Sequence, residues 1–203
     1  MKFIHDIHVI RHGETVWNRE GRMQGALDSA LTDLGQAQAR AMGKLLAEQG
    51  LGDLPVVCSP QGRAVATAVL AFARPPRLDP RLREIGVGQW TGLTRGQIRA
   101  RWPDQSDDED WLDFYARAPG GEGFDALWCR VSDFLADLTG PAVIVTHGVT
   151  SRVLRTAALG LTLADLQRVP GGQGVVFSIR QGQHTTLHAQ GLQDRPVLAT
   201  GLP

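Results

Sequence analysis

An arginine and a histidine stand side by side near the start of the chain, where an apolar segment meets a glycine. Residues 7–10 (IHVI) predict a β-strand, and Arg11, His12 and Gly13 follow it directly. Open α/β sheets bind ligands at the carboxyl ends of their strands. A guanidinium binds phosphate oxygens in a bidentate manner, and its charge lowers the pKa of a neighbouring imidazole, so one ring nitrogen stays nucleophilic. The pair indicates phosphate chemistry, although a plain strand-end histidine has the same local sequence.

Three later positions have the same character. Arg63 falls in the first turn of a predicted helix that follows a short strand, where free amides and the helix dipole favour an anion. Glu84 begins a glycine-rich loop, and His147-Gly148 follows a strand as His12-Gly13 does. A helix N-terminus disfavours an imidazolium at His147, and a bound phosphate would restore it. Taken singly, Arg63 reads as a solvated arginine and Glu84 as a surface carboxylate.

Predicted strands alternate with predicted helices along the chain. Strands are predicted at 7–10, 55–58 and 141–146, and a closing hairpin is predicted at 175–179 and 185–187. Helices are predicted from 32 to about 49, over about 122–138 and over 149–161. A further helix is predicted to begin with Ser59 as its N-cap and Pro60 as its first residue. This alternation predicts an α/β fold, a three-layer α/β/α sandwich with a mostly parallel central sheet. The connector 74–83, with its prolines, leaves little room for regular structure.

The chain length fits a single domain over residues 1–203 with one insertion. The insert, at about 93–121, is predicted to be a small helical lid of one or two short helices broken at Pro103. Apolar spacing gives helix 122–138 the clearest buried face. In helix 32–49 it predicts one face formed by Leu34, Ala37, Ala41, Leu45 and Leu46. The last dozen residues show no periodicity.

Composition excludes several classes of partner. Lys+Arg and Asp+Glu are both 21 among 203 residues, so nothing suggests a nucleic-acid or polybasic membrane surface. No apolar run is long enough to span a bilayer, and His5, Asp6 and His8 interrupt any signal-peptide core. Cys58 and Cys129 are far apart, which predicts a reduced cytoplasmic protein with both as small buried side chains.

Four spaced motifs together resemble the histidine phosphatase superfamily, the phosphoglycerate-mutase-like proteins. Residues 11–15 match RHGET, 59–64 match SPxxRA, 82–92 match LxExxxGxWxG and 146–148 match THG. The matches run in family order from residue 10 to about 150, and four such motifs in order are very specific. The resemblance implies a phosphoglycerate-mutase-like fold.

The resemblance also implies roles for these positions. His12 is the nucleophile that becomes phosphohistidine, and Glu84 protonates the leaving alkoxide and then deprotonates water. Arg11, Arg63 and His147 surround the phosphoryl group, in keeping with the charge that it carries in flight. The remaining implied phosphate or substrate contacts are Asn18, Gly148, Gln24 and Gly25. The implied activity is a phosphatase acting on a small-molecule phosphomonoester, without metal or other cofactor.

This sequence departs from the family pattern at several positions. Where relatives commonly have proline, leucine, glutamate and asparagine, this chain has Ala30, Gln61, Thr91 and Gln173. None of these replaces a catalytic residue. The changes at 30 and 91 affect loop geometry, and those at 61 and 173 affect substrate contacts.

Other functions fit the residues less well. A metal hydrolase could use His12, His147 and Glu84, but no compact ligand set such as HExxH is present and two arginines would repel a cation. A nucleotide-binding module would need a GxGxxG or Walker A sequence, whereas residues 86–92 read GxGxxxG. A non-catalytic phosphate-binding protein would not need all four catalytic residue types.

A phosphoglycerate mutase is the alternative within the family. A mutase must bind a second anionic group, and by resemblance its lid carries paired arginines after a tryptophan, whereas Trp111 here precedes Leu112 and Asp113. The lid has Arg95, Arg99 and Arg101 early, but its centre at 104–113 is acidic, either near the substrate or as a solvated helix face. We therefore expect a phosphatase that lacks the second cationic pair.

Overall fold

The structure, a computed structural model, describes residues 5–103 and 110–189. Its strands are β1 Ile7–Arg11, β2 Val56–Cys58, β3 Arg77–Leu78, β4 Ala142–Thr146, β5 Val175–Arg180 and β6 Gln183–His188. Its α-helices are α1 Val16–Arg19, α2 Asp33–Glu48, α3 Gly62–Phe72, α4 Arg95–Arg101, α5 Trp111–Ala116, α6 Phe124–Ala136 and α7 Gly148–Ala158. Short 3₁₀ segments occupy Pro80–Leu82, Gly88–Trp90 and Leu163–Arg168.

The strands form one sheet in the order β3-β2-β4-β1-β5-β6. The first four strands run parallel, and β5 and β6 are antiparallel additions at one side. Alternate residues of β1 face opposite layers, because Val9 packs in the cluster with α6 and α7 whereas Ile10 packs in the cluster with α2 and α3. The predicted three-layer sandwich with a mostly parallel sheet is confirmed.

The register of the three central parallel strands brings their carboxyl ends to one edge. Arg11 pairs with Thr146, and Cys58 pairs with Val145. The hydrogen bonding of β1 and of β2 to β4 continues one residue beyond each strand, because His12 N donates to Thr146 O at 2.9 Å and Ser59 N donates to Val145 O at 2.9 Å. The chain therefore leaves β1, β2 and β4 at neighbouring points on the edge where α/β folds bind ligands.

Helix α2 packs partly through the predicted face and partly through glycine. Leu46 is buried and Leu45 packs against the same cluster, whereas Ala37 is exposed and the other buried positions include Gly35 and Gly43. A methyl group on Gly13 would lie 2.2 Å from Gly35 O, so the loop after β1 contacts the helix backbone directly. The prediction was wrong at Ala37 and missed the glycine contacts, because apolar periodicity does not register contacts between backbones.

Three other predictions are corrected. Helix α3 begins at Gly62 with Gln61 as N-cap, two residues later than predicted, because the Ser59 hydroxyl is bonded to a histidine instead of capping α3. The connector 74–83 contains β3, which pairs with β2, and the 3₁₀ turn capped by Asp79. Cys129 is exposed on α6, whereas Cys58 is buried as predicted.

The predicted lid contains α4 and α5, and its apolar residues pack against the 84–92 loop. The ring of Trp90 lies 4.5 Å from that of Phe114, and Ile98 is fully buried beside them. Asp110 caps α5, and Asp113 is exposed. The rest of the acidic centre, at 104–109, and the tail from 190 onward lie outside the described residues. Within the described ranges, no helix combines the length and apolar character needed to cross a bilayer.

Candidate active site

His12 is held as a neutral imidazole with one free nitrogen. Its Nδ1 lies 2.8 Å from Gly13 O, and because a carbonyl only accepts, Nδ1 carries the proton and Nε2 does not. The ring is buried, and burial, followed by the charges of Arg63 and Arg11, lowers its pKa well below the ordinary value. Gly13 N in turn donates to Thr67 Oγ1 at 3.0 Å, which fixes the turn. The arrangement leaves Nε2 available as a nucleophile.

His147 lies beside His12, with ring centroids 5.2 Å apart. Its Nε2 is 2.7 Å from Ser59 Oγ, which also accepts from Gln61 N at 3.3 Å. We assign the Ser59 hydroxyl as the donor to Nε2, because it already accepts the amide proton, and this assignment places the histidine proton on Nδ1. Nδ1 is buried with no partner among the described residues. Burial and then the charge of Arg63 lower the pKa of His147, so the ring is a neutral donor.

Arg63 is tied to the 24–28 loop. Its Nη1 donates to Leu27 O at 2.6 Å and to Asp28 Oδ1 at 2.8 Å, and its Nη2 donates to Gly25 O at 3.0 Å. Burial lowers the pKa of Arg63, and the charges of Glu84 and Asp28 oppose that shift. Nε is buried without a partner among the described residues, which leaves its N–H available for an anion.

The Glu84 carboxylate lies at the N-terminus of α7. Oε1 accepts hydrogen bonds from Ile85 N at 3.1 Å and Thr150 N at 3.0 Å, and it lies 3.0 Å from Thr150 Oγ1, whose proton is shared with Arg83 O at 2.8 Å. Oε2 accepts a single longer bond, from Val149 N at 3.3 Å. Because Oε1 accepts two backbone amides and Oε2 accepts one, Oε2 is the oxygen better placed to exchange a proton. Because the N–H groups of Val149 and Thr150 go to Glu84, that of Gly148 is left for an anion.

Arg11 belongs to the same cluster. Burial lowers its pKa, the negative charge of Glu84 raises it, and the positive charge of Arg63 lowers it. Asn18 is nearby through Gln173, whose Nε2 donates to His12 O at 2.8 Å and to Asn18 Oδ1 at 3.4 Å. Thr15 N also donates to Asn18 Oδ1, so the free donor of Asn18 is Nδ2.

The structure brings the predicted site residues together. Arg11, His12, Arg63, Glu84 and His147 interact electrostatically with one another, and Gly25 is bonded to Arg63. Gln24 is buried in the same loop, with its Oε1 unpaired among the described residues. Within the described ranges, no group of three or more His, Cys, Asp or Glu side chains could hold a metal ion.

Gln61 is a site residue that the sequence did not identify. Its Nε2 donates to Gly25 O at 2.8 Å, and its Oε1 accepts from Glu84 N at 2.8 Å. The side chain therefore bridges the Arg63 loop and the backbone of the acid. Its replacement of a common leucine was the available signal, together with its position two residues before Arg63. Ser59 and Thr67 were likewise missed as partners of the two histidines.

The site combines a buried neutral histidine, His12, with two arginines and the Glu84 carboxylate at the strand edge of an α/β sandwich. This combination defines a phosphoryl-transfer class of enzyme. The family model of the histidine phosphatase superfamily (branch 1) matches residues 7–191. The chain belongs to this superfamily, in which a phosphohistidine mechanism is typical. The predicted family and the prediction of a phosphoric monoester hydrolase are confirmed.

Individual relatives include phosphatases and mutases. An acid phosphatase of Mycobacterium tuberculosis is 36% identical over 169 residues, which cover 81% of this chain and 80% of that protein. A 2,3-bisphosphoglycerate-dependent phosphoglycerate mutase of Methylobacterium radiotolerans is 30% identical, with 93% and 95% covered. The structure of a mycobacterial glucosyl-3-phosphoglycerate phosphatase with VO3 superimposes with a TM-score of 0.79 at 30% identity, covering 91% of this chain and 99% of that one.

Proposed function

We propose that this protein hydrolyses small phosphomonoesters through a phosphohistidine on His12, with Glu84 as the proton donor. The observation that carries the proposal is the bond from His12 Nδ1 to Gly13 O at 2.8 Å. This bond leaves Nε2 unprotonated in a ring that burial and two arginines keep neutral. A neutral imidazole is the form that attacks phosphorus.

The reaction balances with the groups present. In the first step, His12 Nε2 forms a bond to phosphorus, the ester P–O bond breaks, and Glu84 gives its proton to the departing alkoxide. In the second step, water attacks the phosphorus and gives a proton to Glu84, and the P–N bond breaks to restore His12. Oε2 of Glu84 is the oxygen that we assign to the proton, because Oε1 already accepts two backbone amides, whereas Oε2 accepts one longer bond.

The phosphoryl oxygens would be bound by donors that have few or no protein partners. These are Nε of Arg63, Nδ1 of His147, Nδ2 of Asn18 and the amide of Gly148, and the Arg11 guanidinium would add its positive charge beside them. Fixed donors aimed at a group whose charge is spread over three equatorial oxygens need no reorganisation during transfer. Gln24 and Gly25 would contribute indirectly, through the loop that fixes Arg63.

The test is to trap the intermediate. Wild-type protein mixed with a ³²P-labelled phosphomonoester and quenched in alkali should retain acid-labile phosphate, and His12→Ala should lose both the label and nearly all turnover. His8→Gln is the matched control, because His8 is also buried on β1 but is bonded to Ser178. Full turnover in His12→Ala, or loss of wild-type turnover in chelator, would contradict the proposal.

Transfer to water rather than to a second substrate is also part of the proposal. It is supported by the phosphatase names among the relatives, although mutases match as well. Incubation of 3-phosphoglycerate with enzyme primed by 2,3-bisphosphoglycerate separates the two. We expect inorganic phosphate to appear faster than 2-phosphoglycerate, and the reverse order would assign the protein as a mutase. Catalysis without a metal, a cytoplasmic location and the lack of a nucleic-acid partner stay predictions.

A further inference from the structure

Two arginines near the candidate site lack hydrogen-bond and ion-pair partners across the described part of the chain. They are Arg95, the first residue of α4, and Arg152, on α7, and the Nε of each is buried. The Arg95 guanidinium lies 4.5 Å from the ring centre of Phe114, and that of Arg152 lies 4.6 Å from the ring centre of Trp111. Stacking on a ring leaves the in-plane N–H groups of a guanidinium free for another ligand.

Arg152 lies between the lid and the loop that contacts the nucleophile. A methyl group on Gly171 would come 2.4 Å from Arg152 Nη2, so the guanidinium rests directly against that backbone. Two residues later, Gln173 donates to His12 O. The cation is therefore held by Trp111 on one side and by the Gly171 loop on the other.

Tyr115 connects this cation to the reacting groups. Burial raises the pKa of its phenol, the charge of Glu84 raises it further, and the charges of Arg11, Arg95 and Arg152 lower it. The centre of the Tyr115 ring lies 6.2 Å from that of Trp111 and 6.0 Å from that of Phe114, so the phenol lies beside the two rings on which Arg152 and Arg95 stack. Because Glu84 protonates the ester oxygen, the alcohol part of a substrate leaves the phosphoryl group on the side of Glu84 and Tyr115.

Resting on the proposed function, we propose that Arg152 and Arg95 bind a carboxylate on the alcohol part of the substrate, and that the Tyr115 hydroxyl assists. A buried guanidinium without a counter-ion loses hydration, and a carboxylate bound by its planar N–H groups offsets that loss. No pair of arginines directly follows Trp111 in the lid sequence, where Leu112 and Asp113 stand, but Arg152 of α7 stacks on the Trp111 ring.

The test compares two substrates that differ in the proposed group. 3-Phosphoglycerate carries a carboxylate where glycerol 3-phosphate carries a hydroxymethyl group. We expect the wild type to prefer the acid at least about tenfold in kcat/KM, and Arg152→Met to lose about 10- to 100-fold on the acid, mainly through KM. The loss on glycerol 3-phosphate should stay below about threefold. Arg168→Met is the matched control, since Arg168 is exposed and paired with Asp165, and it should change neither substrate.

A second variant displaces the Arg152 guanidinium without removing it. Gly171→Ala should displace the Arg152 guanidinium and lower the preference for the acid, while phosphohistidine formation from glycerol 3-phosphate continues. Arg152→Lys should keep part of the preference, because it keeps the charge but not the planar donors. Equal losses on both substrates, or an unchanged preference in Arg152→Met and Gly171→Ala, would overturn this inference. A wild type that forms no phosphohistidine from either substrate would instead overturn the proposed function.

Discussion

The two ends of the candidate site hold their cations in different ways. At the phosphoryl end, defined by Arg11, His12, Arg63 and His147, the side chains of Arg63 and of both histidines are fixed by hydrogen bonds from the strand edge and its loops. Arg63 has Leu27 O, Asp28 and Gly25 O, and each histidine has a short bond to a neighbouring oxygen. At the lid end, defined by Arg95, Trp111, Tyr115 and Arg152, the arginines stack on aromatic rings and have no fixed acceptor among the described residues.

Because of this difference, the phosphoryl end is suited to setting the reaction rate and the lid end to selecting the substrate. Groups that are already oriented stabilise a transition state without reorganisation, so the phosphoryl end is suited to chemistry that is common to all substrates. Cations that rest on rings and lack an acceptor respond to what is bound, so the lid end is suited to choosing among substrates. Glu84 lies between the two ends, since its carboxylate interacts with Arg11, Arg63 and Tyr115.

Glu84→Gln should give the largest effect, because it removes the proton donor where the two ends meet. We expect kcat on an alkyl phosphate to fall by about 10²- to 10⁴-fold, and far less on an activated aryl phosphate, whose leaving group needs no proton. Steady-state kinetics on both esters measures this. Glu122→Gln is the control, because Glu122 also accepts a backbone amide, that of Gly86. Equal losses on the two esters would remove Glu84 from the acid role.

Gly13→Ala should break the rigidity of the phosphoryl end. The added methyl would lie 2.2 Å from Gly35 O, and two backbones cannot separate without disturbing α2. We expect a loss of about 3 kcal/mol in the free energy of unfolding, measured by urea denaturation. Gly140→Ala is the control, since nothing lies within 4 Å of its added methyl. A fully stable Gly13→Ala would show that this packing does not fix the nucleophile.

Ser59→Ala tests whether orientation of His147 matters for rate. The variant removes the oxygen 2.7 Å from Nε2, so the proton is no longer held on Nδ1. We expect kcat to fall about tenfold on every substrate, which corresponds to the loss of one buried hydrogen bond. Ser178→Ala removes a similar bond, to His8, outside the site and should leave kcat unchanged. If both variants have the same kcat, the Ser59 bond has no catalytic role.

Gln61→Leu should give the smallest effect, because it loosens the acid without removing it. The variant loses the acceptor of Glu84 N, 2.8 Å away, and the donor to Gly25 O. We expect kcat on alkyl phosphates to fall about threefold, with aryl phosphates and KM nearly unchanged. Gln38→Leu also removes an acceptor of a backbone amide, that of Glu14, and should show no dependence on the leaving group. A uniform loss on both esters would make Gln61 a purely structural residue.

The sequence determined the features that depend on neighbours along the chain. The apolar period of 122–138 predicted α6 and its buried face, the residues around Gln181 predicted the closing hairpin, and the order of strands and helices predicted the sandwich. Four motifs determined the family and named the residues that meet at the strand edge. These predictions succeed because periodicity and motif spacing are local properties that the fold preserves.

Only the tertiary structure decided which distant residues touch. Nothing between Gln61 and Glu84, or between Trp111 and Arg152, links the pairs along the chain, and each contact exists because separate elements pack together. The start of α3 and the glycine contact of α2 were not predicted for the same reason. The Ser59 hydroxyl bonds to His147, 88 residues away, and Gly35 meets the backbone of the loop after β1. Such contacts depend on shape in three dimensions, which hydrophobic patterns along one chain do not encode.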